Sequence, residues 1–117
     1  MSGFGLVGHA LGIARESHTG LEIEIQNLPL LQGALELAEE SEAGGLKSNR
    51  KHFSPLVECR GAIDPARLTL VYDPQTSGGL LLSLPEDRAE SLLLELKDAR
   101  RIGRVTAEDR GKIILLA

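Results

Sequence analysis

Cysteine is nearly missing from this sequence: Cys59 is the only one in 117 residues. That excludes an internal disulfide and makes a reducing compartment the natural setting. Cys59 sits in LVECRG with no companion ligand at metal spacing, so a buried structural thiol is expected there and not a nucleophile. The chain also lacks any apolar run near the ~20 residues that cross a bilayer, and it shows no signal peptide. The expectation is a cytoplasmic chain with no membrane partner. A basic excess is missing as well, since 13 Lys and Arg stand against 17 Asp and Glu, for a net charge of −4. Nucleic acid is therefore not expected as a partner, because phosphate binding needs clustered cations. The densest basic run, Lys47, Arg50, Lys51 and His52, reads as a solvated loop.

What is present is an ordinary globular composition, 42% hydrophobic and 26% charged. At this length one domain can bury roughly two-thirds of its unfolded surface. Apolar positions at Leu6, Ala10, Ile13 and Ala14 predict a helix over about 4–16. LEIEIQ at 21–26 alternates as a half-buried strand does. A second helix is expected from Pro29, with Leu31, Ala34, Leu35 and Ala38 on one stripe. SNRKHFSP reads as a loop or short helix, and Leu56 to Cys59 as a possible short strand. Asp64-Pro65 is a helix start, and LLLSL at 80–84 suits a strand covered on both faces. Pro85-Glu86-Asp87 opens another helix, whose buried stripe is expected at Ala89, Leu92, Leu93 and Leu96. The stretches Ile102 to Thr106 and Lys112 to Leu116, joined by AEDRG, read as a hairpin. Interleaved helices and strands without repeats indicate an α+β or α/β class with a mixed sheet.

Two glycine-rich segments stand out. Gly3, Gly5 and Gly8 spell G-x-G-x-x-G in GFGLVG. A dinucleotide turn would need a strand before the first glycine and an acid about 20 residues later that ends a strand. Only Met1 and Ser2 precede Gly3, and Glu22 and Glu24 alternate within a strand. The same glycines could instead serve close helix packing, or open a helix N-terminus whose free N–H groups face an anion in any fold. The second segment is VYDPQTSGG, where Asp73, Gln75, Thr76 and Ser77 crowd ahead of Gly78 and Gly79. Such a polar turn either lines a site or makes a tight connection that needs unusual angles. His9 could reach an anion at the helix start, or be structural. Asn49 could bond a ligand, or cap a turn.

Together, GFGLVGH at 3–9 and YDPQTSGGLLLSLP at 72–85 resemble the selenophosphate synthetase (selenide, water dikinase) family. NLPLLQGALELAE, a GG-x-x-x-N-R stretch at 44–50 and IGRVT at 102–106 agree with it. The wider superfamily includes aminoimidazole ribonucleotide synthetase. The resemblance covers essentially the whole chain and implies the second of two domains, the N-terminal ATP-binding catalytic domain being its partner. It implies an α+β fold, a mixed sheet with helices on both faces, like the aminoimidazole ribonucleotide synthetase C-terminal domain and partly like ferredoxin. The implied reaction phosphorylates selenide with ATP and Mg2+, giving selenophosphate, the selenium donor for selenocysteine and selenouridine. The full-length enzyme would be a homodimer. The family's nucleophile lies in the other domain, so no catalytic residue is expected here, and this domain alone is expected to be inactive and to bind no cofactor. Carried onto this sequence, the contacting residues are Gly3, Phe4, Gly5, His9, Asn49, Asp73, Gln75, Thr76, Ser77, Gly78 and Gly79. The family usually reads D-V-T-G-F-G; here Ser2 stands at the Thr and no Asp precedes it, so no metal ligand is assigned. Leu46 also departs from a position that is often polar. The competing reading is a free-standing anion-binding or assembly domain of the same fold.

Overall fold

The computed structural model describes residues 1–40, 44–75 and 78–117. In chain order the elements are α1 (Gly5–Ser17), β1 (Gly20–Glu24), α2 (Ala34–Glu40), α3 (Gly44–Phe53), β2 (Val57–Arg60), α4 (Pro65–Val71), α5 (Glu86–Glu95), β3 (Gly103–Thr106) and β4 (Ile113–Leu116). The strands form one mixed sheet in the order β2-β4-β1-β3. β4 runs parallel to both β1 and β2, and β3 is antiparallel to β1. The class is α+β with a mixed sheet.

Apolar spacing explains the core. Leu21 and Ile23 alternate with Glu22 and Glu24, and the register sets them beside Ile113 and Leu115 on one face. α1 lays Leu6, Val7, Ala10, Leu11 and Ala14 against that face, an i, i+4 stripe on the inward side. Leu46, Val71 and Tyr72 close the cluster from α3 and the end of α4. Asp64 caps α4 by accepting the Ala66 N–H at 3.3 Å, with Pro65 at the first helical position.

Several expectations are corrected. The two C-terminal strands do not form a hairpin, because β1 lies between them. IILL is apolar throughout and takes a central position covered on both faces, whereas GRVT, with its exposed arginine, tolerates an edge. LLLSL at 80–84 is not a strand. Its leading end is tied to residue 1, since Gly78 N–H donates to the Met1 carbonyl and the Met1 amine donates to Gly79 O. Leu80 is 85% exposed, and only Leu81 packs on the core. α5 forms where expected but buries no residue: Ala89 and Leu92 are half-buried, and Leu93 and Leu96 are exposed.

The second helix starts at Ala34 and not at Pro29, because Gly33 sits at φ +85°, a left-handed conformation that interrupts the helix. Leu31 is consequently outside it and exposed. Lys47, Arg50, Lys51 and His52 lie on α3, not in a loop, since Leu46, Asn49 and Phe53 give that segment an inward face at helical spacing. Cys59 is exposed, because β2 is an edge strand with one uncovered flank. Partial burial nevertheless pushes its thiol pKa up.

Candidate functional site

The two glycine-rich segments are far apart in sequence and meet in space. Residues 1–3 lead into a turn and lie against the segment after α4. Three successive carbonyls point into that contact. Met1 O accepts the Gly78 N–H at 2.8 Å, and Ser2 O accepts from Gln75 N–H at 3.1 Å and from Gly5 N–H at 3.0 Å. Gly3 O accepts from Asn49 Nδ2 at 2.9 Å.

Glycine is required at two points of this contact. Gly5 has φ +71°, and a Cβ there would lie 3.0 Å from the Asp73 carbonyl oxygen and 3.0 Å from the Tyr72 carbonyl carbon. At Gly78 a Cβ would fall on Gln75 Oε1 and lie 2.9 Å from Met1 O. The backbones can approach this closely only without side chains.

A third segment joins them. A Cβ on Gly45 would lie 3.2 Å from the Pro74 ring, which leaves α3 room to start against the turn. One turn later Asn49 is buried and donates to both Gly3 O at 2.9 Å and Tyr72 O at 3.0 Å. Its neighbour Arg50 donates to Thr69 Oγ1 at 3.0 Å and lies 5.5 Å from the Tyr72 ring centroid. The buried Nε of Arg50 has no partner among the described residues. Burial raises the Tyr72 phenol pKa, with the nearby Cys59 thiol adding to the shift and the Arg50 guanidinium opposing it.

The outer surface of the contact is the start of α1. Phe4 occupies the N-cap without a side-chain hydrogen bond and is 61% exposed. The N–H groups of Gly3 and Phe4 have no partner among the described residues. A helix start without a side-chain cap, preceded by N–H groups that have no partner among the described residues, carries partial positive charge and suits an anion's oxygen atoms. His9, one turn along, accepts the Ser2 N–H on Nε2 at 3.0 Å and lies 3.1 Å from Ser2 Oγ. That bond leaves the neutral ring's proton on Nδ1. Phe4 packs edge-to-face against both His9 and Phe53.

The structure thus brings together Gly3, Phe4, Gly5, His9, Asn49, Asp73, Gln75, Gly78 and Gly79. Thr76 and Ser77 lie outside the described residues. Asn49 bonds the fold itself, with both amide protons committed. Asp73 presents its backbone to Gly5, and burial raises its carboxyl pKa. Ser2 belongs to the cluster through His9, and the residue before a glycine-rich helix start is where such a partner could have been sought. The Tyr72 carbonyl belongs as well, which no side-chain pattern reveals.

The family described as AIR synthase related protein, C-terminal domain, matches residues 1–116, and the chain belongs to it. Among individual proteins it is similar to a selenide, water dikinase of Clostridioides difficile (strain 630), with 38% identity over 99% of this chain and 35% of that protein. It is similar to selenide, water dikinase 2 of Peptoclostridium acidaminophilum, with 34% identity over 99% of this chain and 35% of the relative. A selenide, water dikinase of Geobacter metallireducens is 40% identical over 84% of this chain and 29% of its own length. The family named from the two motifs is therefore the one its relatives carry. The chain spans about a third of the length of the curated relatives it matches, 35% for the first two.

Proposed function

We propose that this chain is the C-terminal domain of a selenide, water dikinase, an ATP-dependent enzyme that phosphorylates selenide to selenophosphate. The observation that carries the reading is the junction of residues 1–5 with 72–75 and 78–79, beside which the Gly3 and Phe4 N–H groups have no partner among the described residues. Phosphoryl transfer depends on positioning and on neutralising charge, so a domain can contribute without a nucleophile.

In this reading the domain forms one wall of a cleft that faces an N-terminal ATP-binding domain. The Gly3 and Phe4 N–H groups meet a phosphate oxygen, and the exposed Phe4 ring shields that contact from water. Bound ATP supplies the transferred phosphoryl group. The donors on this wall fit a phosphate; they do not make a magnesium cage, since Asp73 is the only carboxylate among the described residues of the two segments. In this reading Mg2+ is held by ligands of the N-terminal domain. A homodimer of the full-length enzyme in the cytoplasm completes the reading, and the domain alone is inactive.

Complementation tests this. The 117-residue chain is mixed with the N-terminal two-thirds of the Clostridioides difficile relative, selenide and Mg-ATP, and products are followed by 31P NMR. Selenophosphate is expected only from the mixture. Turnover by this chain alone, or tight Mg-ATP binding to it by calorimetry, would contradict the reading.

A further inference from the structure

The carbonyls of residues 1–3 all point into the contact, and every peptide bond of the described chain is trans. In a trans peptide the C=O of one residue and the N–H of the next point in opposite directions. The Ser2 carbonyl is held inward by Gly5 and Gln75, so the Gly3 N–H faces outward. The Gly3 carbonyl is held inward by Asn49 Nδ2, its one partner among the described residues, and that bond aims the Phe4 N–H outward.

We propose that Asn49 is a positioning residue: by holding the Gly3 carbonyl it fixes the Gly3–Phe4 peptide plane and so aims the Phe4 N–H at the anion. This rests on the cleft-wall reading above. The orientation of the Asn49 amide is set by its surroundings, because both neighbours are carbonyl acceptors and only the NH2 end can face them. The second bond, to Tyr72 O, anchors the side chain on the end of α4. Asn49 spends both amide protons in this way and keeps no donor for a ligand. It acts through the backbone of the GFG segment and not by contact. Gln in its place would overreach, and Asp would oppose a carboxylate to two carbonyls.

NMR of the 117-residue chain reads the proposal directly. In the unaltered chain the two Asn49 side-chain protons should exchange slowly and show couplings across their hydrogen bonds to the Gly3 and Tyr72 carbonyl carbons. In Asn49→Ala the Phe4 amide shift should move, and exchange at Gly5, Gln75 and Gly78 should quicken by about tenfold or more, as loss of a buried bond allows. The β1 and β4 amides should keep their protection. Asn49→Ser retains one donor and should fall between, which also serves if the alanine variant does not fold. Asn49→Asp should disturb Phe4 most. Equal loosening throughout the sheet, or no change at Phe4, overturns the proposal. A second arm adds the N-terminal part of the Clostridioides difficile relative with Mg-ATP. A Phe4 response in the unaltered chain that is lost in Asn49→Ala supports both inferences. A silent Phe4 in the unaltered chain, with selective loosening in the variant, overturns the cleft-wall reading and upholds only the fixing of the Gly3–Phe4 peptide plane by Asn49.

Discussion

Helices α1 and α5 carry similar apolar stripes and meet opposite fates. α1 buries Leu6, Val7, Ala10, Leu11 and Ala14 on the sheet, while α5 buries nothing and leaves Leu94 at 89% exposure. The difference lies in what faces each stripe. α1 is fixed at its first residue by the glycine contact with 71–73, and its stripe then falls on the alternating apolar face of β1 and β4. α5 has good starting residues, Pro85, Glu86 and Asp87, but the run before it is tied to Met1 and joins no sheet edge. Local sequence forms a helix; a facing surface is needed to stabilise it.

Truncation of one side chain on each side should separate the two regions most widely. Leu115→Ala, in the centre of β4, should cost about 2–5 kcal/mol in urea unfolding, while Leu94→Ala on α5 should stay within about 0.5 kcal/mol. Comparable losses would mean that α5 packs after all. Next come the glycines. Gly5→Ala combines a left-handed φ with backbone crowding and should cost about 1–3 kcal/mol, whereas Gly79→Ala, with nothing within 4 Å of its Cβ, should be nearly neutral. Thermal midpoints of the two variants decide it.

Helix ends should give smaller effects. Asp64→Ala removes the cap of α4 and should cost about 1 kcal/mol. Glu86→Gln in the first turn of α5 should cost about 0.3–1 kcal/mol at low salt and less at high salt, measured by helical circular dichroism. The smallest effect concerns pH. Burial raises the Asp73 carboxyl pKa, so the folded chain holds this proton more tightly than the unfolded chain does. Its contribution is present below the ordinary carboxylate range and is lost as pH rises through the raised value. Asp73→Asn should therefore gain slightly on the unaltered chain above that range and lose the gain below it; urea midpoints across acidic pH check the sign.

Much of the fold could be read from spacing. The 4–16 stripe, the alternation of LEIEIQ and the Asp64-Pro65 start each point to an element that is present, because each signature is local. The start of α2 is misplaced by a local cause, the left-handed Gly33, and the basic run Lys47 to His52 is helical and not a loop; the larger errors concern partners. A hairpin between IGRVT and KIILL and a covered LLLSL strand are statements about pairing, which apolar runs do not encode. At the site, the two glycine-rich segments could be found separately, and Asn49 could be named without its job. Its function as a double donor depends on Gly3 O and Tyr72 O arriving from elsewhere in the chain, and backbone carbonyls leave no trace in residue type.

We propose that residues 1–5, 72–75 and 78–79 form one wall of a phosphoryl-transfer cleft. Amide shift mapping of the 117-residue chain, on adding the N-terminal part of a selenide, water dikinase with Mg-ATP, tests it most directly. The largest changes should fall at Gly3, Phe4, Gly5, Gln75, Gly78 and Gly79. Changes confined to β2, β3 or α5, with the two glycine segments silent, would contradict it.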